Sequence, residues 1–324
     1  MIQKLLLVRF SALGDLVLTT GPLHQLKKHY PNLEVHFLTS DLGHELFRNQ
    51  PLIDHVHVLP KKASVTEIIR AYRKLQKYDA IIDWQGNLKS FLLRTFQRAP
   101  FYRIEKQSRQ RRAYVKKRLY KDQLNQHVVE KYYNTLKKAF PELPDLDAES
   151  LRPILTPNPT IFKKNQFDWT QTFAIHPFAS QKNKEWFGVK ELSERLILAG
   201  KNVVILGQSE ELLDWPQSKQ LLDLTNKTTI LEMTSLIQSC RALLTTDSGP
   251  MHLGIAVNTP TMALFGPTTK EFGFYPRFKN TQVIETDLDC RPCHVHGGQT
   301  CPLKHHKCMN EISVDEVFQA LQEL

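Results

Sequence analysis

The chain has 324 residues, 41% of them hydrophobic and 23% charged, which excludes disorder as its main state and allows about two domains of ordinary size. The apolar run in MIQKLLLVRF is shorter than the roughly 7 to 15 residues of a signal-peptide core, and no stretch approaches a membrane span, so the protein is expected to stay where it is made. A formal net charge of +10 favours a polyanionic partner: nucleic acid, an anionic membrane surface or a phosphorylated substrate.

Short apolar runs alternate with amphipathic stretches from the first residues onward, the pattern of βα units stacked around a mostly parallel sheet. The fold class is α/β. In the first half LLLVRF, EVHFLT, HVHVL and DAIIDW read as strands, and GPLHQLKKHY, VTEIIRAYRKLQ and VVEKYYNTLKKAF as helices. Between Pro141 and Pro159 the chain carries five prolines and little helical periodicity, which reads as a linker. The expected domains are therefore residues 1–150 and 151–324. In the second, TFAIHP, NVVILG, RALLTTD and TPTMALFG read as strands, and VKELSERLILAG, ILEMTSLIQSC and PMHLGIAV as helices. Two such halves imply a cleft, with ligands beyond the carboxyl ends of the strands. Neither half shows GxGxxG after its first strand and GxxxxGK[ST] is absent, which disfavours a nicotinamide dehydrogenase or a P-loop NTPase.

Three strand-to-helix turns hold the candidate chemistry. After LLLVRF comes Ser11-Ala12-Leu13-Gly14-Asp15; a carboxylate there can act as a general base toward a hydroxyl, or simply cap the helix. After TFAIHP a polar loop carries Ser180, Lys182 and Lys184, hydroxyl and ammonium groups suited to a diphosphate, although a solvated lysine-rich turn would look the same. After RALLTT come Asp247, Ser248, Gly249, Pro250, Met251 and His252. Pro250 fits a first helical turn, and the free amides of that turn can bind phosphate oxygens. His252 can add a donor there or pack within the helix, and Asp247 beside a phosphate makes sense only if it orients loop groups or binds a sugar hydroxyl.

The FSALGD turn, the AxxxxKxW loop from Ala179 to Trp186, and DSGPMH followed by LFGPT at Leu264 to Thr268 together resemble bacterial glycosyltransferase family 9, the ADP-heptose:lipopolysaccharide heptosyltransferases. The resemblance spans nearly the whole chain; DSGPMH and LFGPT in this order carry it, whereas LGD alone is weak. It implies a GT-B architecture of two Rossmann-like domains facing across a cleft, the acceptor held mainly by the N-terminal one and the nucleotide sugar by the C-terminal one. It further implies ADP-heptose as donor, the lipopolysaccharide inner core as acceptor, and inversion at the anomeric carbon with no metal or other cofactor required. The family's catalytic aspartate falls on Asp15 and its phosphate-contacting lysine on Lys184. Its third-element aspartate, glycine and histidine fall on Asp247, Gly249 and His252, the amides around Ser248 and Gly249 facing the diphosphate, and its nucleoside contacts fall nearest to Thr229, Leu231 and Glu232. Ser180 alone keeps a hydroxyl where some members have a pair. A monomer at the cytoplasmic face of a Gram-negative inner membrane, peripheral and without specific nucleic acid, follows from the same resemblance. The alternatives are a nucleotide-sugar epimerase on a similar fold and a non-catalytic nucleic-acid-binding protein, the latter suggested only by the charge.

Two segments stand apart. Arg98 to Lys121 carries ten Lys or Arg against one acid, Glu105, a run expected to repel itself and stay mobile without a polyanion; Arg109, Arg111 and Arg112 are its candidate acceptor contacts. Cys290, Cys293, Cys301 and Cys308 lie in CRPCHVHGGQTCPLKHHKC with four histidines. A structural zinc is open to such ligands, but the second pair is spaced too widely for a zinc ribbon, and reduced, packed thiols are the expected state.

Overall fold

Lys4–Val8 forms β1, and its Leu5, Leu6, Leu7 and Val8 are wholly buried. A strand apolar on both faces belongs inside a parallel sheet covered on both sides, and β1 is the middle strand of its sheet. The computed structural model describes residues 2–157, 167–211 and 213–324. From β1 the chain continues through α1 (Leu13–Leu18), α2 (Thr20–His29), β2 (Glu34–Thr39), α3 (Asp41–Phe47), β3 (His55–Val58), α4 (Val65–Lys74), β4 (Ala80–Asp83), α5 (Leu88–Leu92) and β5 (Phe101–Arg103). These strands pair in the order β3-β2-β1-β4-β5, every pair parallel. After α6 (Ser108–Lys117), α7 (Val128–Lys137) returns to the same unit. The fully buried Trp84 donates from Nε1 to the Tyr132 carbonyl at 3.1 Å, which ties β4 to α7.

The second sheet is built from β6 (Thr172–His176), β7 (Asn202–Ile205), β8 (Leu221–Asp223), β9 (Ala242–Thr246), β10 (Thr261–Phe265) and β11 (Thr281–Glu285). Its order is β11-β10-β9-β6-β7-β8, again all parallel. Helices α8 (Val189–Leu198), α9 (Ile230–Ser239), α10 (Gly249–Ala256), α11 (Lys307–Asn310) and α12 (Val314–Glu323) complete it. One face packs Trp186, Leu192, Leu196, Met309, Val317 and Leu321 into a single apolar cluster. Trp186 joins that cluster and satisfies its indole N–H on the Ile312 carbonyl at 3.0 Å.

The expected strands and helices are present in both sheets. Three strands that the apolar pattern does not announce, β5, β8 and β11, are all at sheet edges. Their residues are mostly half-buried, so they lack the continuous apolar run that marks an interior strand.

The division of the chain is not the single cut expected near residue 150. One compact unit comprises Met1–Lys106 and His127–Thr156, the other Gln107–Gln126 and Pro157–Leu324. The proline-rich stretch therefore stays with the first unit up to Thr156, and its Leu151 carbonyl lies where a β-carbon on Gly21 would have to go, 2.0 Å away. Pro159 lies outside the described residues.

The basic run also departs from expectation, since Ser108–Lys117 is helical and belongs to the second unit. Burial explains it: Tyr114 and Leu124 close over Phe272, with the Tyr114 and Phe272 rings edge-on at 6.2 Å. Arg118 donates to the carbonyls of Pro292 at 2.8 Å and Asp289 at 3.1 Å, so its donors are satisfied by backbone oxygens while its charge is kept. Arg111 is itself buried, its guanidinium 5.5 Å from the Phe274 ring centre, while Arg109 and Arg112 remain exposed. Removing the anchor should release the segment. Phe272→Ala, a change that typically costs about 3–5 kcal/mol, is expected to make residues 107–126 a preferred trypsin target at temperatures where the wild type resists; unchanged cleavage there would contradict the packing.

Candidate functional site

In the first unit the polar groups gather where β1 and β4 end. Asp15 sits in the first turn of α1, and its Oδ2 accepts only weakly, at 3.4 Å, from the Ala12 N–H. The helix-capping alternative for Asp15 is thus a minor part of its environment. Arg9, one residue beyond β1, meets Asp15 Oδ2 at 2.5 Å, and the Tyr132 hydroxyl donates to Oδ1 at 2.7 Å. Arg9 is buried and spends its other donors on the carbonyls of Ser11 at 2.6 Å and Trp84 at 2.7 Å. Desolvation opposes its charge, but Tyr132 and Asp15 outweigh that, so its pKa lies above the ordinary value. Each oxygen of the Asp15 carboxylate has two lone pairs, so Arg9 and Tyr132 fix its direction and still leave acceptor capacity for a substrate hydroxyl.

Around this pair lie further charges. Asp83, wholly buried at the end of β4, is pushed up by burial although it accepts from the Gly86 N–H and the Ser90 hydroxyl, each at 2.8 Å. Lys106 is pushed down, first by desolvation and then by the charge of Arg9, while Asp15 and Asp83 act the other way. Arg9, Tyr132 and Lys106 were not legible as site residues. Arg9 had a signal, a lone cation ending an apolar strand; Tyr132, 117 residues from Asp15, had none.

In the second unit Lys184 and Asp247 meet. Lys184 Nζ donates to Asp247 Oδ2 at 2.6 Å and to the Asp247 carbonyl at 3.0 Å. Thr268, the last residue of LFGPT, donates its hydroxyl to the same Oδ2 at 2.6 Å. Burial alone would raise the Asp247 carboxyl, but Lys184, Thr268 and His252 outweigh it and hold its pKa below the usual carboxylate range. Asp247 therefore orients Lys184. An ammonium has three donors, and two are used on Asp247, leaving one for a ligand.

Ser248 stands at the N-cap of α10 with an extended backbone, its hydroxyl 3.1 Å from that of Thr245 rather than on the helix amides. The amides of Gly249 and Met251 thus open a helix N-terminus suited to an anion, with Pro250 in the first turn. His252 is buried in that helix, its ring 6.4 Å from Phe274. Ser180 is exposed, and its carbonyl accepts from Gln299 at 3.3 Å. Thr229 and Glu232 are bound to each other at the start of α9: the Thr229 hydroxyl accepts from the Glu232 N–H at 3.3 Å and Glu232 Oε2 accepts from the Thr229 N–H at 2.7 Å. Leu231 is buried beside them.

The cysteine-rich segment packs on the Lys184 loop. Asn183 donates from its backbone N–H to the Gly298 carbonyl at 3.0 Å, and its side-chain Oδ1 accepts from the Gly298 N–H at 2.8 Å. His306 Nε2 lies 2.8 Å from the Asn183 carbonyl. Arg291 donates to the carbonyls of Gly266 at 2.5 Å and Thr268 at 3.0 Å, holding the LFGPT loop from its other side. The four thiols of the segment are free, and burial foremost pushes Cys293 up and Cys308 to about 11. Among the described residues no three of the segment's sulfur and imidazole groups converge to metal-ligating separations.

The model of glycosyltransferase family 9 (heptosyltransferase) matches residues 67–305. The chain belongs to this family. It is 27% identical over 327 residues to lipooligosaccharide heptosyltransferase 2 of Campylobacter jejuni, with 96% of each chain covered. Among solved structures it matches Escherichia coli ADP-heptose lipopolysaccharide heptosyltransferase II with a TM-score of 0.76 at 22% identity, covering 99% of this chain and 98% of that one. It also matches the E. coli heptosyltransferase WaaC with ADP-2-deoxy-2-fluoro heptose, with a TM-score of 0.68 at 16% identity and 99% of each chain covered. The family places the chain among glycosyltransferases of the GT-B fold, and the comparisons support neither the epimerase nor the nucleic-acid alternative.

For a member of this family the position of Lys184 is the quantity to perturb. Gly297, at φ +84°, leaves no room for a β-carbon, which would come within 2.7 Å of Lys184 Cε and 2.9 Å of Gln181 Cβ. The lysine side chain is the part able to yield, so Gly297→Ala is expected to draw Lys184 from Asp247 and weaken ADP binding about tenfold or more, the loss of one charge-assisted hydrogen bond. Gly200→Ala is the control, because Gly200 has a similar φ of +76° and nothing within 4 Å. Isothermal titration giving the two variants equal ADP affinity would contradict the role of the segment.

Proposed function

We propose that this glycosyltransferase moves heptose from ADP-heptose to a hydroxyl of the lipopolysaccharide inner core, with Asp15 as the base. The observation that carries the assignment is the Asp15 carboxylate, oriented by Arg9 at 2.5 Å and Tyr132 at 2.7 Å beyond a buried parallel strand. The acceptor hydroxyl gives its proton to Asp15 as its oxygen bonds to the anomeric carbon from the face opposite ADP. The bond from that carbon to the phosphate oxygen breaks, its electron pair leaves with the diphosphate, and the configuration inverts. Charge grows on the departing diphosphate, and pre-placed donors stabilise it most where water is excluded. Lys184, His252 and the amides around Ser248 and Gly249 are those donors, with Ser180 at the loop and Thr229, Leu231 and Glu232 toward the nucleoside. With these donors in place the reaction demands no metal or other cofactor.

Arg103, whose Nε lies 3.6 Å from Asp83 Oδ2, and Lys106, which feels the charges of Arg9, Asp15 and Asp83, fit an anionic acceptor in the first unit. Arg109 and Arg112 fit the anionic surface of the membrane that carries it, and the buried Arg111 serves α6 instead. Among the described residues no helix is long and apolar enough to cross a membrane. A monomer attached peripherally at the cytoplasmic face of the inner membrane accords with these features, and flotation with anionic vesicles should be lost on reversing Arg109 and Arg112 to Glu.

Asp15→Asn keeps size and most hydrogen bonding but cannot accept the proton. Turnover should fall about 100-fold or more, the usual weight of a general base, while ADP affinity stays within about twofold. A variant that keeps near wild-type turnover would remove Asp15 from the chemistry.

A further inference from the structure

A second polar constellation lies on the first sheet, formed by residues the transfer reaction does not use. Glu34 and His36 alternate along β2, and His55 and His57 along β3. Residues two apart share a face of a strand, and the parallel register sets His36 opposite His55 and Leu38 opposite His57. Four ligand-type side chains thus gather at one sheet edge, because β3 is the outermost strand. His36 Nε2 lies 2.7 Å from Glu34 Oε1, and His55 Nε2 lies 3.8 Å from the same oxygen. One ligand atom from each of the three falls within 4.8 Å of the other two.

The far side of His36 is equally defined. Its Nδ1 is 2.8 Å from His57 Nε2 and 3.0 Å from the Tyr78 hydroxyl, which is itself 3.1 Å from His57 Nε2. His36 is wholly buried and Tyr78 nearly so, so this network holds the ring in one orientation.

We propose that Glu34, His36 and His55 form a divalent transition-metal site, with zinc the ion that their ligand set favours, binding through Glu34 Oε1, His36 Nε2 and His55 Nε2. Two imidazoles and a carboxylate are a common zinc set, with bonds of about 2.0–2.2 Å and a fourth position for water. Such bonds put tetrahedral ligand atoms roughly 3.3–3.5 Å apart, between the 2.7 and 3.8 Å found here. Closure needs small movements of Glu34 and of the exposed His55. With Nε2 on the metal, the His36 N–H is carried on Nδ1 and donates to His57 Nε2, which gives the site the second hydrogen-bonded partner that ligating histidines usually have. Lys4 is the competing cation, 3.2 Å from Glu34 Oε1, but it also donates to Gln76 at 2.8 Å and keeps that partner when the carboxylate turns to the metal. The bound ion would staple the edge strand β3 to β2.

The test uses the full chain stripped of metal and titrated with zinc(II) by calorimetry, with cobalt(II) as a spectroscopic substitute. His55→Ala and Glu34→Gln change half-buried or exposed side chains and should fold. Wild type is expected to bind zinc with a rise in melting temperature, and both variants to bind at least about tenfold more weakly with no such rise. His57→Gln should weaken binding by about 10-fold through the outer hydrogen bond alone. Equal zinc affinity in wild type and His55→Ala would overturn the site. So would a cobalt spectrum dominated by thiolate-to-metal bands and unchanged by His55→Ala, which would move the metal to the cysteine-rich segment.

Discussion

A parallel strand buried on both faces has no surface on which to carry charge, and this keeps the ionic groups that follow the central strands β1, β4 and β9 at or beyond their carboxyl ends. Every residue of β4, β6, β9 and β10 is buried, and in β1 only Lys4 is not. The first residues able to be ionic are those that leave the sheet: Arg9 and Asp15 after β1, Asp83 at the end of β4, Asp247 after β9. So close to an apolar core an unpaired ion is costly, and such groups persist only when paired and hydrogen-bonded. Asp15 is accordingly held by Arg9 and Tyr132, and Asp247 by Lys184 and Thr268.

The two pairs serve opposite ends. In the proposed reaction the first pair uses its cation to orient the carboxylate toward the acceptor hydroxyl, and the second uses its carboxylate to orient the cation toward the diphosphate. An ion pair of this kind adds little net stability; its contribution is direction. That also gives the cysteine-rich segment a place, since Gly297, Gly298 and His306 brace the loop that carries Lys184.

Much of this was legible in the residues themselves. Interior strands announced themselves as apolar runs, and the turns after β1, β6 and β9 stood out because Asp15, Lys184 and Asp247 interrupt such runs. The edge strands β5, β8 and β11 were silent because half-buried residues carry no strong period. The assignment of residues 107–126 to the second unit was hidden for a different reason: composition reports seven cations there, but not that Tyr114 finds Phe272, 158 residues further along the chain. Tyr132 escaped notice likewise, and Thr268 was read only as the end of LFGPT, since each reaches its carboxylate through a contact that no local pattern encodes. The crowding of four cysteines and four histidines drew attention to residues 290–308, whereas among the described residues the cluster at metal-ligating separations comes from alternate residues on two strands.

The central claim is acceptor-dependent, inverting transfer of heptose. It is tested most directly by incubating the purified chain with ADP-heptose, with and without a defined core-truncated lipopolysaccharide acceptor, and following ADP release together with the anomeric configuration of the product by NMR. The account predicts ADP release only when acceptor is present, and a product of inverted configuration. Sugar rearrangement without acceptor, or a product that retains the donor's configuration, would contradict it.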